Sequence, residues 1–159
     1  MLNPVRDSNR KTTKRGSLIR LRLQQILVVD DDDIHRQILC AQLKKLGVSA
    51  DQSANGEEAI AAVMRGAYEV IFMDLRMPGM NGIETSRWIR ERFNGSGEMR
   101  IIALTGAAIT ETRNQCRRAG MNDFIGKPAQ AEDLERVLRD RLKNRNQHAT
   151  TNWGGIDAA

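Results

Sequence analysis

Three aspartates directly follow two apolar segments of this chain and could form a centre that binds a cation or accepts a phosphoryl group. Asp30 and Asp31 come after Ile-Leu-Val-Val at 26–29, and Asp74 comes after Val-Ile-Phe-Met at 70–73. Carboxylates held close together raise one another's pKa unless a cation lies among them. A few carboxylates with several retained waters are the ligands that Mg²⁺ prefers. The pattern therefore predicts a Mg²⁺ site if the fold brings the two segments together.

Two further apolar segments end in polar side chains of a different kind. Ile-Ile-Ala-Leu at 101–104 precedes Thr105, and Phe-Ile-Gly at 124–126 precedes Lys127. Phosphoryl transfer needs mainly positioning and charge neutralisation, which a hydroxyl and an ammonium supply to the phosphoryl oxygens. Taken singly, a threonine that ends a strand and an exposed lysine are ordinary features. Taken together with the acids, they predict phosphoryl chemistry at Asp74.

The chain segments that carry these residues are predicted to be short apolar strands that alternate with amphipathic helices. Strands are predicted near 24–30, 48–53, 70–73, 101–104 and 123–126, and helices near 33–46, 55–66, 82–93, 109–119 and 131–143. This alternation predicts an α/β fold, a doubly wound parallel sheet of five strands with five helices on its two faces. In such sheets the carboxyl ends of the strands meet in one crevice, which would gather the polar residues there.

The second helix gives the most detailed local prediction. Asn55 followed by Glu58 is typical of a helix start, and Gly66 of a helix end. The apolar residues between them predict the buried face, namely Ala59, Ile60, Val63 and Met64.

Positive charge is concentrated at the amino terminus. Residues 1–22 carry seven Lys or Arg against one Asp, a net +6, so the remainder carries −1 of the total of +5. We expect a basic, disordered leader over 1–23, one globular domain over 24–143 and a flexible tail over 144–159. The leader lacks the apolar segment of a signal peptide or a membrane span, which predicts a cytoplasmic protein.

The two cysteines, Cys40 and Cys116, fall on predicted helices without metal-ligand spacing. They are therefore expected to be small buried apolar side chains in a reducing compartment, and not a disulfide.

Four motifs in order resemble the receiver domain of two-component response regulators. They are Ile-Leu-Val-Val-Asp-Asp at 26–31, Met-Asp-Leu-Arg-Met-Pro-Gly-Met-Asn-Gly at 73–82, Ile-Ile-Ala-Leu-Thr-Gly at 101–106 and Phe-Ile-Gly-Lys-Pro at 124–128. The resemblance covers about residues 24–143 and implies a flavodoxin-like fold with Asp74 as phosphoacceptor. It also implies Mg²⁺ ligation by the carboxylates of Asp31 and Asp74, the backbone carbonyl of Arg76 and, mostly through water, Asp30. Thr105 and Lys127 would hold the phosphoryl oxygens.

The same resemblance implies a conformational switch. The phosphoryl group would draw Thr105 toward it while Phe124 turns inward, which would reshape the face made by the fourth helix, fifth strand and fifth helix. Phe124 stands where a tyrosine is commoner, so it keeps the ring and loses the hydroxyl. A cis peptide before Pro128 would let Lys127 reach the site.

Partners follow from the resemblance as well. The phosphoryl donor would be a phosphohistidine on a sensor histidine kinase or a histidine phosphotransfer domain, and a downstream protein would read the switched face. The donor would dock on the first helix and on the segment after Lys127, at Ile34, His35, Ile38 and Pro128.

Several alternatives stay open at the level of sequence. A stand-alone regulator is favoured, but the residues in the motifs are similar to those of receivers carried by hybrid sensor histidine kinases. A phosphohydrolase with Asp30 as nucleophile and Asp32 as acid is a distant alternative, because it would leave Asp74 and the Met-Pro-Gly at 77–79 unexplained. Such an enzyme would turn over many substrate molecules, whereas the resemblance implies a protein that is not an enzyme and accepts one phosphoryl group per molecule. A nucleic-acid contact would rest on the leader alone and is not expected.

Overall fold

Five strands and five helices alternate along the chain in a computed structural model that describes residues 25–93, 99–106 and 110–144. The strands are β1 Ile26–Val29, β2 Asp51–Ser53, β3 Val70–Asp74, β4 Arg100–Thr105 and β5 Asp123–Gly126. The helices are α1 Asp33–Lys45, α2 Gly56–Arg65, α3 Gly82–Arg92, α4 Thr110–Arg118 and α5 Ala131–Asn144. The predicted order of elements is confirmed. Nearly all of the expected leader and tail, and the first residue of the helix predicted at 109–119, lie outside the described residues.

All five strands form one parallel sheet in the order β2-β1-β3-β4-β5. Val29 pairs with Met73, and Asp74 pairs with Leu104. Thr105 pairs with Gly126, the residue before Lys127. The residues that end these strands therefore lie side by side at the carboxyl-terminal end of the sheet, as the sequence predicted.

The apolar runs in the strands are continuous because both faces of the sheet are covered. Alternate residues of each strand point to opposite faces and build two separate core clusters. One cluster packs Val28, Phe72 and Leu104 against apolar residues of α1 and α5. The other packs Val29, Met73 and Ala103 against apolar residues of α2, α3 and α4. The predicted doubly wound architecture is thus confirmed.

Side-chain caps begin three of the helices. Asp32 accepts hydrogen bonds from the backbone N–H groups of Ile34 and His35 at the start of α1. Asn55 accepts one from Glu58 at the start of α2, as predicted. Asn81 and Glu84 form a reciprocal capping box at the start of α3.

Two local predictions were wrong. Met64, predicted on the buried face of α2, is 65% exposed. It lies five residues after the buried Ala59, about 140° around the helix axis, and so falls beyond the apolar face. β2 is also shorter than predicted, because Val48 is buried in the connection after α1 and only Asp51–Ser53 pairs with β1.

Both cysteines are free thiols, Cys116 fully buried and Cys40 partly buried. Among the described residues, no helix combines the length and the apolarity that a membrane crossing requires.

Candidate functional site

The three acids predicted as a cation site lie together. Asp30, Asp31 and Asp74 each offer a carboxylate oxygen, and these atoms all lie within 4.8 Å of one another. Adjacent parallel strands bring them there, since β1 ends just before Asp30 and β3 ends at Asp74. Asp30 and Asp74 are buried, whereas Asp31 is exposed. Two carboxylates are thus largely removed from water, and the third faces solvent.

Lys127 brings a positive charge between the two buried carboxylates. Its Nζ lies 2.7 Å from Asp30 Oδ2 and 3.2 Å from Asp74 Oδ1. The peptide between Lys127 and Pro128 is cis, as predicted. Burial disfavours the charged ammonium, but the hydrogen bond to Asp30 and the charges of both aspartates outweigh it and raise the pKa of Lys127. Lys127 therefore stays charged in the site.

Asp74 is held at one carboxylate oxygen only. Its Oδ1 accepts a hydrogen bond from the backbone N–H of Arg76 at 3.2 Å, besides the contact with Lys127. No described residue donates a hydrogen bond to Oδ2. Burial raises the pKa of Asp74, because the cost of removing the carboxylate from water outweighs the lowering effects of the Arg76 N–H and of Lys127. The negative charge of Asp30 raises the pKa further. The charge of Lys127 and the N–H of Arg76 therefore compensate only part of the cost of burying this carboxylate.

These donors fit Mg²⁺. The site offers only oxygen ligands, which a hard divalent cation prefers, and a buried carboxylate whose charge is incompletely compensated. Arg76 lines the same cavity, so its backbone is close to the acids.

An open cavity of about 810 Å³ joins the predicted site residues. Besides the three acids, its lining includes Thr105, Lys127 and His35. The hydroxyl and ammonium predicted to contact a phosphoryl group thus border the same space as Asp74.

Phe124 does not line this cavity, and its side chain packs with the core cluster on the α4 face of the sheet. Its half-buried ring carries the guanidinium of Arg113 at 4.0 Å from the ring centroid. Its backbone N–H donates to Asp123 Oδ1 at 2.8 Å, and Asp123 Oδ2 accepts from Arg136 of α5. The aromatic residue predicted to switch is therefore tied to both neighbouring helices.

The predicted docking residues form an exposed apolar border beside the site. Ile34 is 67% and Ile38 51% exposed, and His35 and Pro128 are exposed as well. A second cavity of about 300 Å³ opens among His35, Ile38 and Pro128. It also reaches Asp30 and Lys127, so the docking surface is continuous with the acid cluster.

The sequence interpretation missed two residues near the site. Asp32 caps α1, a role that its place before an apolar helix could have indicated. Arg36 donates to the backbone carbonyl of Asp30 at 2.6 Å. Its spacing from Asp33 predicts only an ion pair within the helix, which also forms.

The chain matches the model of the response regulator receiver domain over residues 26–139. It is 36% identical over 132 residues to hybrid signal transduction histidine kinase L of Dictyostelium discoideum, a match that covers 80% of this chain and 8% of the kinase. It is also 36% identical over 123 residues to the transcriptional regulatory protein ResD of Bacillus subtilis strain 168, covering 77% of this chain and 50% of ResD. The chain thus spans half or less of the length of these relatives.

Solved structures of related proteins have the same fold as this chain. Chemotaxis protein CheY4 of Vibrio cholerae superposes with a TM-score of 0.69 at 28% identity, covering 76% of this chain and 99% of CheY4. A chain in the co-crystal structure of the Saccharomyces cerevisiae histidine phosphotransfer signaling protein Ypd1 and the receiver domain of its downstream response regulator Ssk1 gives a TM-score of 0.71 at 27% identity. That match covers 81% of this chain and 93% of the other. With the fold, the acid cluster and the family match in agreement, this chain belongs to the response regulator receiver domain family.

Proposed function

We propose that this receiver domain accepts a phosphoryl group on Asp74 from a phosphohistidine and passes the signal on through the face formed by α4, β5 and α5. The observation that carries the proposal is the state of Asp74, which is buried, borders the large cavity and has one carboxylate oxygen held and the other open. A nucleophile in this setting is positioned without being blocked.

In the proposed reaction, Asp74 Oδ2 attacks the phosphorus atom of the donor. A P–O bond forms as the P–N bond breaks, and the electron pair of the broken bond stays on the imidazole nitrogen. The product is an aspartyl phosphate. Lys127 and Thr105 contact the phosphoryl oxygens, since both side chains line the cavity beside Asp74.

Mg²⁺ would be held by the carboxylates of Asp31 and Asp74 and the backbone carbonyl of Arg76, with Asp30 acting mainly through water. When bound, the ion neutralises charge on the carboxylates and on the transferred group. Asp30 already receives Lys127 on one oxygen and the backbone N–H of Asp32 on the other, which supports an indirect role for Asp30.

The donor would be a sensor histidine kinase or a histidine phosphotransfer domain. The exposed apolar residues Ile34 and Ile38, with His35 and Pro128, would receive it next to the cavity. A receiver domain co-crystallised with the phosphotransfer protein Ypd1 is among the structures similar to this chain, which supports a partner of that kind.

The signal would leave through Thr105 and Phe124. Phosphorylation would draw Thr105 toward the phosphoryl group, and the ring of Phe124 would move inward from its contact with Arg113. A downstream protein would bind the changed surface. Whether the domain acts alone or as part of a hybrid kinase stays open in this proposal, because the relatives include both kinases and a transcriptional regulator.

The phosphohydrolase hypothesis is weaker. Both oxygens of Asp30 accept hydrogen bonds, which reduces its value as a nucleophile. Asp32 caps α1, and its backbone hydrogen bonds, above all to His35, lower its pKa. Asp32 is therefore ionised at neutral pH and poorly suited to act as a general acid.

Incubation with acetyl phosphate and Mg²⁺ tests the proposal. We expect intact-protein mass spectrometry to show one added phosphoryl group in the wild type and in Asp51→Asn, a matched change on β2, but none in Asp74→Asn. Equal labelling of Asp74→Asn would refute Asp74 as the acceptor. Continuous turnover of a phosphate ester by Asp74→Asn would favour the phosphohydrolase.

A further inference from the structure

Arg36, in the first turn of α1, joins three elements beside the acid cluster. Its Nη1 donates to the backbone carbonyl of Asp30 at 2.6 Å, its Nη2 to Asp33 at 2.7 Å and its Nε to Gln52 of β2 at 3.2 Å. The side chain is only 13% exposed. A planar guanidinium with three partners is fixed in direction, so Arg36 holds the carbonyl of Asp30 in one orientation.

That carbonyl belongs to the peptide that links Asp30 to Asp31. A peptide is planar, so fixing its oxygen also fixes its nitrogen and the direction in which the chain enters Asp31. Asp31 is exposed, and no described residue forms a hydrogen bond or ion pair with its carboxylate. The position of this carboxylate therefore depends on its backbone.

The other two acids are held by their side chains. Lys127 and the N–H of Asp32 hold the carboxylate of Asp30, and the N–H of Arg76 holds that of Asp74. We infer that Arg36 is the positioning residue for Asp31, and that it directs the Asp31 carboxylate toward Mg²⁺ by fixing the Asp30–Asp31 peptide. The inference rests on the proposed function, since Asp31 is a metal ligand only there.

Groups that orient metal ligands without touching the metal commonly contribute tenfold or more to its affinity. We therefore expect Arg36→Met to raise the dissociation constant for Mg²⁺ about tenfold or more. Isothermal titration calorimetry of the full chain with MgCl₂ measures this constant directly, without any phosphorylation assay. The amide resonance of Asp31 should also shift in the Mg²⁺-free variant, because its peptide is no longer held.

The matched control is Gln52→Leu, which removes one partner of Arg36 and leaves the bond to the Asp30 carbonyl. We expect Gln52→Leu to bind Mg²⁺ as the wild type does, even where it lowers the Mg²⁺-free melting temperature as much as Arg36→Met. If Arg36→Met does not fold, Arg36→Gln is measured in its place.

The outcomes distinguish the role of Arg36 from the Mg²⁺ site itself. Weak Mg²⁺ binding by the Arg36 variant alone supports the inference. Wild-type affinity in that variant, or an equal loss in Gln52→Leu, would show that Arg36 only stabilises the fold and would overturn the inference while leaving the proposed function intact. If the wild type itself binds no Mg²⁺, the metal site and the role of Arg36 are refuted together.

Discussion

At the scale of single residues, Lys127 places its ammonium between two buried carboxylates. Asp30 and Asp74 would otherwise face each other with little compensating charge in a poorly hydrated place. Lys127 directly follows the edge strand β5, so the site depends on a residue far along the chain from Asp30. The same ammonium would contact the phosphoryl oxygens as their charge changes.

Lys127→Met should slow phosphorylation by acetyl phosphate about 100-fold, the usual effect of losing one charge-stabilising donor. The time course of labelling by mass spectrometry gives the rate. Lys143→Met, on the exposed side of α5, is the matched control and should keep the wild-type rate. A Lys127→Met rate close to that of the control would contradict the assigned role.

Cys116 should be unreactive in the folded protein. It is 1% exposed, and burial raises the pKa of its thiol to about 11. Because the thiolate is the reactive form, a raised pKa leaves little of it at pH 8. We expect iodoacetamide at pH 8 to modify the partly buried Cys40 first and Cys116 only after urea unfolds the chain, as peptide mass spectrometry can show. Equal labelling of both native thiols would disagree.

Residues that end strands could be predicted from sequence, because an apolar run followed by Asp, Thr or Lys gives both the strand and its end. The positions of Asp30, Asp74, Thr105 and Lys127 in one cavity follow that logic. Arg36 could not be found in this way. It donates to a backbone carbonyl six residues earlier, and since every residue has such a carbonyl, the residue types do not indicate this contact.

Among the elements, α3 starts in close contact with the end of β3. A Cβ added at Gly82 would lie 2.1 Å from the backbone oxygen of Asp74 and 3.0 Å from Leu75 Cα. Only glycine allows this approach without moving the backbone of the proposed phosphoacceptor. Side-chain size at Gly82 therefore bears directly on the geometry of Asp74.

Gly82→Ala should lower the free energy of unfolding by roughly 1–3 kcal/mol and also reduce phosphorylation, because either α3 or Asp74 must shift. Urea denaturation and acetyl phosphate labelling measure the two effects. A Cβ at Gly126 would meet nothing within 4 Å, so Gly126→Ala serves as the stability control. Equal stability of the two variants would count against the close contact.

The contact between α4 and β5 gives a second prediction for the elements. Arg113 lies over the ring of Phe124, and cation–π contacts of this kind contribute about 0.5–1 kcal/mol at accessible sites. Arg113→Gln should lower the free energy of unfolding by that amount, and Arg117→Gln, on the exposed side of the same helix, should not. Equal unfolding curves for the two variants would refute a stabilising contact.

The order of strands and helices along the chain was predictable, and so was the start of α2, whereas the margins of the helix faces were not. Asn55 predicted the start of α2 correctly, since a cap depends on neighbouring residues only. The exposure of Met64 depends on how far the sheet extends beneath α2, and the local sequence does not determine that extent. Arg100 lies one residue before the strand predicted at 101–104. It opens β4 and is buried, and burial lowers its pKa while Asp123 and Asp140 offset this.

For the whole molecule, the described residues contain a complete core. The two clusters on either side of the sheet draw apolar residues from every described helix. The predicted boundary at residue 143 falls one residue before the end of α5. The described core and the candidate site therefore both lie within residues 25–144.

A fragment of residues 24–144 should have the full chain's free energy of unfolding within about 0.5 kcal/mol, because it keeps every residue of the two described core clusters. It should also be labelled by acetyl phosphate at the same rate. Urea denaturation and intact mass spectrometry compare the two proteins. A clear loss in either measurement would mean that the leader or the tail contributes to the domain.

The strand order has a mechanical consequence. β3, which carries Asp74, is bonded to a strand on each side, whereas β5, which carries Phe124 and leads into Lys127, is bonded to one. A displacement that begins at the central strand can therefore be accommodated at an edge strand, either β2 or β5, with fewer backbone hydrogen bonds opposing it. Of these two edges, β5 is the one that carries Phe124 and leads into Lys127, so it is the edge that the proposed switch would move.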